Sequence, residues 1–213
     1  MAQTFTRQMS FQAKDLGKES MLLLTFDSEK LEGIYKRFYP VVWKVGDFPK
    51  TGVHVMKVTY TNQFVFSSVQ VSKGKIADAE TYVKIKNGER TNMIKENDAI
   101  TFSAPHEGTD GVMQAWNKTE VVQNIAFGFM NSKEFLPAPV LFFEDVGDGS
   151  NVTAEFTPIL RAYITSDYKE NTFISKAIEA PMIWEKHLAT LAEKTTWTLS
   201  RETTTGHYKF TQA

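Results

Sequence analysis

The 213 residues include no cysteine, and the 24 Lys and Arg side chains nearly balance the 25 Asp and Glu side chains, so the net charge is −1. The lack of cysteine excludes disulfide bonds, thiolate catalysis and Cys-ligated zinc, and without a basic stripe no nucleic-acid partner is expected. Hydrophobic residues make up 42% of the chain and aromatic residues 13%, so a large core can form and the aromatic residues are the main compositional excess.

Alternation of apolar and polar residues with a period of two recurs between clusters of Gly, Pro, Asn and Asp, and it predicts a mainly β chain. In chain order, strands are expected over residues 20–26, 39–45, 53–60, 63–71, 81–86, 99–103, 121–130, 140–144 and 159–166. The strand over residues 53–60 has one clearly apolar face, formed by His54, Met56, Val58 and Tyr60.

Two hairpins are predicted from turn residues between strands. Thr61 and Asn62 separate the strands over residues 53–60 and 63–71. A final hairpin over residues 195–201 and 207–211 turns near Gly206, with Trp197 and Leu199 on one face. The strongest turn signal, residues 146–151, is expected to punctuate the fold without dividing it.

One helix is predicted over residues 182–194, beginning at Met182 after Pro181 and ending at Lys194. Trp184, Leu188 and Leu191 fall on one stripe at helical spacing. A shorter helical turn is expected over residues 28–37. The fold is therefore predicted as a single-domain antiparallel β-sandwich over residues 1–213, with one or two short helices.

The sequence lacks the common motifs of nucleotide-binding, metalloprotease and hydrolase sites. His106 and Glu107 are the only pair that suggests acid–base catalysis, and a solvated loop is the favoured interpretation. Asp145, Asp148 and Asn151 offer oxygen ligands for calcium, but they lack the spacing of an EF-hand, so a plain turn is favoured and no metal is predicted. The sequence favours a noncatalytic role over an enzymatic one without deciding between them.

The aromatic residues are the most informative candidates for a binding site. Most of them are expected to be core, but a core this rich in flat rings can enclose a cavity for an aromatic or apolar ligand. The candidate ligand-binding residues are Trp43, His54, Met56, Trp116 and Phe127. Trp116 follows a glycine-containing loop and is expected to be partly exposed, which also suits a surface site that binds carbohydrate or lipid, or a dimer contact.

The N-terminal residues show neither a basic region nor a continuous apolar run typical of a secretory signal. A soluble, cytoplasmic protein is therefore expected, and association with a membrane is not. The Asn-X-Thr sequons at Asn117 and Asn151 are interpreted as chance occurrences, because they matter only in a secreted chain.

The stretch over residues 147–163, GDGSNVTAEFTPILRAY, together with the cysteine-free, aromatic-rich β character, resembles the abundant soluble β proteins of mushroom fruiting bodies. Among these the chain is most similar in size and character to the pink chromoproteins of oyster mushrooms. That resemblance implies a fungal, ligand-carrying protein that holds an indolone-type organic chromophore noncovalently. Lectins and aegerolysin-like membrane binders share the same broad description.

These observations predict a noncatalytic protein that binds a small aromatic or apolar molecule, such as a chromophore, between its sheets and assembles as a homo-oligomer. The motivation is an aromatic excess without catalytic motifs. The alternative is a carbohydrate-binding or lipid-binding module that uses Trp116 and the polar loop before it.

Overall fold

Strands form nearly all of the regular structure in the computed structural model, which describes residues 4–132 and 134–213 but not the side chains of residues 77 and 78. The strands are β1 (Thr6–Lys14), β2 (Ser20–Thr25), β3 (Tyr39–Pro40), β4 (Val42–Phe48), β5 (Val53–Thr61), β6 (Phe64–Ser72), β7 (Lys75–Ile85), β8 (Glu89–Glu96), β9 (Ala99–Phe102), β10 (His106–Glu107), β11 (Met113–Lys118), β12 (Gln123–Phe129), β13 (Ala138–Val146), β14 (Asn151–Ala154), β15 (Ile159–Ile164), β16 (Met182–His187), β17 (Lys194–Arg201) and β18 (Tyr208–Gln212). The mainly β prediction is confirmed.

The strands build four sheets, one of which is curled into a half-barrel. Sheet A has the order β18-β17-β1-β5, sheet B β16-β15-β2-β4 and sheet C β3-β13-β12-β6-β7. Sheet D has the order β10-β8-β11-β14, and β9 also pairs with β8. The pairing is not purely antiparallel as predicted, because β1 pairs with β17 and β8 with β11 in parallel. The arrangement is also not clearly a single sandwich.

The predicted hairpin at Thr61 and Asn62 is wrong. β5 pairs with β1 in sheet A, whereas β6 pairs with β7 and β12 in sheet C, so this turn carries the chain from one sheet to another. The final hairpin is confirmed, since β17 and β18 pair antiparallel and bury Trp197 and Leu199. The apolar face of β5 is also confirmed, because Val58 and Tyr60 are buried while Val53 is 70% exposed.

The helix predicted over residues 182–194 is also wrong. Met182–His187 is strand β16, which pairs antiparallel with β15, and only Leu188–Thr190 forms a single turn of 3₁₀ helix. Trp184 is buried between Phe11 and Trp197, at ring-centroid distances of 5.5 and 5.1 Å. Pairing with a distant strand has overridden the helical spacing of the apolar residues.

No helix forms over residues 28–37 either, where the chain makes a series of turns. Gly33 and Tyr35 have φ values of +94° and +62°. A right-handed helix cannot pass through residues in this left-handed region. This segment, which we call the turn segment, instead lies beside sheet C.

Aromatic rings link the sheets through one large hydrophobic cluster, which we call the core. Trp43 of β4 contacts Phe26, which contacts Phe156, and Phe156 contacts Phe127 of β12, with centroid distances of 5.4 to 5.5 Å along this series. The same core includes Met9 of sheet A and Met113 of sheet D. The interior is therefore filled by ring-to-ring packing in the tilted and edge-on geometries that aromatic pairs prefer.

Candidate functional site

The structure places four of the five candidate residues in or against this core. Trp43 is 3% exposed and Phe127 is 0% exposed. His54 is partly buried against Phe48, at a centroid distance of 5.0 Å, and Met56 packs against the core from β5. These four residues contact other core side chains, and none of them lines either of the two cavities described below.

Trp116 lies apart from them, in the middle of strand β11 and on the outer face of sheet D. It is partly exposed, as predicted, although it belongs to a strand and not to the loop before it. The Nζ of Lys118 lies 5.3 Å from the centroid of the Trp116 ring. Trp116 therefore presents an aromatic surface at the outside of the molecule.

The first cavity, which we call the Met182 cleft, has a volume of about 690 Å³ and opens between the edge strands β16 and β18. This volume lies in the range that binds small organic molecules. Met182 is 47% exposed at its wall. The other apolar residues that line it are Met21, Ile164, Pro181 and Ile183.

The polar side of the Met182 cleft is organised by two hydroxyl groups. The Oγ of Ser20 donates to the carbonyl oxygen of Lys18 at 3.1 Å and lies 2.7 Å from the Oη of Tyr208. A serine has one hydroxyl hydrogen, so the hydrogen in the second contact comes from Tyr208. The phenolic oxygen of Tyr208 then retains a free lone pair that can accept a hydrogen bond from a ligand.

Sequence reasoning missed the Met182 cleft because its walls come from chain segments that are far apart. Residues 18–21, 164–166, 181–183 and 206–208 meet only because strands pair within sheets A and B and the two sheets lie side by side. Met182 was assigned to a helix, where its exposure has no special meaning.

The second cavity, which we call the β14 groove, has a volume of about 700 Å³ and lies between β14, β13 and the turn segment. Phe38 and Phe143, whose rings are 5.5 Å apart, form part of its apolar lining. Asn151 and Thr153 line it along the outer edge of sheet D. The cations of Lys30 and Arg37 and the carboxylates of Glu144 and Glu155 give the groove a mixed charge.

A buried polar network lies at the end of β2, away from both cavities. Asp27 is 2% exposed and accepts a hydrogen bond from the Oη of Tyr163 at 2.9 Å, while its carbonyl oxygen accepts one from Arg161 at 3.1 Å. Arg161 also donates to Glu185 at 2.7 Å. The network joins β2, β15 and β16, so we assign it a structural role.

Burial raises the pKa of Asp27 above its usual range, against the opposing effects of the Tyr163 hydrogen bond and the Arg161 charge. A carboxyl with a raised folded-state pKa destabilises the fold when it is ionised, and protonation removes that effect as the pH falls through the folded-state pKa. We therefore expect the wild type to gain stability relative to Asp27→Asn as the pH falls from neutral towards the ordinary aspartate pKa of 3.8. Urea unfolding of both proteins across this range measures the difference. If the difference in unfolding free energy between the two proteins stays constant, or if the wild type loses stability relative to the variant, the pKa of Asp27 is not raised.

His106 and Glu107 do not form a catalytic pair. Both are exposed in the two-residue strand β10, opposite Arg90 and Glu89 of β8. Adjacent residues of a strand point to opposite faces, so the imidazole and the carboxylate cannot act together on one substrate atom. The arrangement offers no acid–base dyad.

The predicted turn over residues 146–151 joins β13 to β14. Asp148 accepts a hydrogen bond from the backbone N–H of Glu120 at 3.0 Å, and Gly149 adopts a φ of +74°.

Within the described part of the chain, no three His, Cys, Asp or Glu side chains gather closely enough to hold a metal ion. No described helix has the length and apolar character of a membrane span.

No family model, no curated protein and no solved structure matches the chain. Function is therefore inferred from the geometry of the molecule itself.

Proposed function

We propose that the protein binds a small apolar or aromatic molecule in the Met182 cleft without transforming it. The observation that carries this proposal is the exposure of 47% of Met182 at the wall of a cavity of about 690 Å³. Exposed apolar surface in a concave site gains free energy when a ligand removes it from water. The methionines at positions 21 and 182 add adaptable surface, because the thioether side chain is flexible and polarizable.

The polar side of the cleft supports a ligand that carries one hydrogen-bond donor. Tyr208 donates to Ser20 and retains a lone pair, so an N–H or O–H group of the ligand fits this position. The hydroxyl hydrogen of Ser20 is committed to the carbonyl oxygen of Lys18. Ser20 is therefore held as a hydrogen-bonding group and not as an activated nucleophile, which favours binding without catalysis.

The same proposal includes the type of scaffold, the type of ligand and the oligomeric state of the protein. A sandwich-like, single-domain scaffold holds the cleft rigid, and a conjugated ligand would make the molecule a cytoplasmic pigment protein. Val53 and Val55, 70% and 42% exposed on the edge strand β5, support association into a homo-oligomer. A native mass spectrum reports both features, because it gives the subunit count and any ligand mass that disappears on denaturation.

The proposal is tested with the neutral dye Nile red and the variant Met182→Glu. We expect the wild type to bind the dye with enhanced fluorescence. We expect the variant to bind it roughly tenfold more weakly or worse, because a carboxylate in the apolar wall must lose water when the ligand enters.

The matched control is Leu136→Glu, since Leu136 is 44% exposed in the loop between β12 and β13. This variant should bind the dye like the wild type, and both variants should keep the wild-type melting temperature. If the wild type and Met182→Glu bind the dye equally well, the Met182 cleft is not the binding site.

A further inference from the structure

We propose that the outer face of sheet D is a carbohydrate-binding site, in which a sugar ring stacks on Trp116 and its hydroxyl groups bind the surrounding amide side chains. This site is separate from the Met182 cleft and does not depend on it. The register of three neighbouring strands, the chemistry of the residues that they present and the adjoining β14 groove support this site.

The register of sheet D puts Trp116 at the centre of a polar surface. Trp116 of β11 lies opposite Asn92 of the parallel strand β8 and opposite Asn151 of the antiparallel strand β14. One row along the sheet, Gln114 lies between Arg90 and Thr153. The intervening residues of β11, Ala115 and Asn117, are fully buried, so the outward direction of these side chains is fixed by strand alternation.

The residue types on this face match the two kinds of surface that a sugar presents. A pyranose has an apolar face of C–H groups, which fits the flat ring of Trp116, and hydroxyl groups that both donate and accept hydrogen bonds. An amide side chain also offers donors and an acceptor, so Asn92 and Asn151 can each satisfy a hydroxyl group. Lys118 is exposed and its ammonium lies over the Trp116 ring, so a sugar that stacks on this ring face displaces a mobile surface side chain.

The β14 groove extends the site to more than one sugar unit. Asn151 and Thr153 belong to the outer face of sheet D and also line the groove of about 700 Å³. Phe38 and Phe143 contribute apolar lining there, and Glu144 and Glu155 contribute carboxylates that accept hydrogen bonds from hydroxyl groups. An oligosaccharide with one ring on Trp116 can therefore place a neighbouring ring in the groove.

The same face is less suited to a membrane surface. Trp116 is surrounded by amide and charged side chains, namely Asn92, Gln114, Asn151 and Lys118. An interfacial membrane site needs a continuous apolar area around its aromatic residue. Carbohydrate is thus the occupant that the surroundings of Trp116 favour.

The test uses the full chain on an array of neutral and acidic glycans, followed by titration calorimetry with the oligosaccharide that binds best. We expect Trp116→Ala to weaken binding by roughly tenfold or more, as expected for a tryptophan anchor. Asn151→Ala should weaken it to a smaller extent. The control is Tyr82→Ala, which removes an aromatic ring that is 38% exposed on β7 of sheet C, and it should bind like the wild type.

Thermal melting and Nile red binding of Trp116→Ala should equal those of the wild type, which separates this site from both the fold and the Met182 cleft. The proposal is overturned if the wild type retains no glycan, or if Trp116→Ala binds glycans as well as the wild type. Binding to anionic liposomes that requires Trp116, without glycan binding, would also overturn it and assign the face to a membrane.

Discussion

Replacing Gly128 by alanine is expected to destabilise the protein by roughly 3 kcal/mol or more and to remove most of the folded material. A Cβ atom at position 128 would lie 2.0 Å from the carbonyl oxygen of Ala138 and 2.9 Å from the Cα of Pro139. Both are backbone atoms of β13, so no side-chain rotation can relieve the overlap. The register between β12 and β13 also shifts at this point.

Urea unfolding and the yield of folded protein measure the effect of Gly128→Ala. The control is Gly147→Ala, because a Cβ at position 147 meets only the hydroxyl of Ser150 at 3.5 Å and the backbone there is not left-handed. We expect the control to change the unfolding free energy by about 0.5 kcal/mol or less. Similar stability of the two variants would mean that β12 and β13 are not packed as described.

The second large effect is expected for Asn117→Asp, at about 3 to 5 kcal/mol of lost stability. Asn117 is 0% exposed, and its Nδ2 donates to the carbonyl oxygens of Val121 and Val146 at 2.7 and 2.8 Å. Its Oδ1 accepts from the backbone N–H and the hydroxyl of Thr119 at 3.1 and 2.7 Å. An aspartate would lose both donors and place a buried negative charge against two carbonyl oxygens.

Asn151→Asp is the control for Asn117→Asp, since it makes the same chemical change at the exposed asparagine of the other sequon. Thermal unfolding should distinguish the two variants clearly, with the control within about 0.5 kcal/mol of the wild type. Equal melting temperatures would contradict the role of Asn117 as the residue that fixes the end of β11. In the folded chain, the same hydrogen bonds leave the amide of Asn117 no freedom to carry a glycan.

Alternation of residue types was enough to predict most of the strands, because each alternating segment buries one face. The local pattern failed where a strand is defined by a distant partner. Met182–His187 has helical spacing in sequence but pairs with β15. β1 lies near the N-terminus, and it pairs with β5 on one side and on the other with β17, which lies near the C-terminus. β11 was missed for the same reason, because no short turn joins it to its partners β8 and β14. β8 was missed although it forms a tight antiparallel hairpin with β9.

The ligand-binding role of the candidate residues stays a prediction, but their surroundings show what composition can and cannot indicate. The aromatic excess correctly indicated a ring-rich core, but the rings of Trp43 and Phe127 pack against other rings. Composition cannot distinguish rings that line a cavity from rings that fill a core. Trp116 was selected correctly as partly exposed, whereas Ser20, Met182 and Tyr208 are brought together only by tertiary pairing.

The binding of a small molecule in the Met182 cleft is tested most directly by NMR of the methionine methyl groups. The chain has eight methionines, and they report on different regions: Met21 and Met182 line the cleft, Met56 lies against the aromatic core, and Met93 and Met113 are buried under sheet D. On titration with Nile red, we expect the signals of Met21 and Met182 to shift while those of Met93 and Met113 stay in place. A shift confined to Met56, or no shift at all, would contradict the proposed cleft.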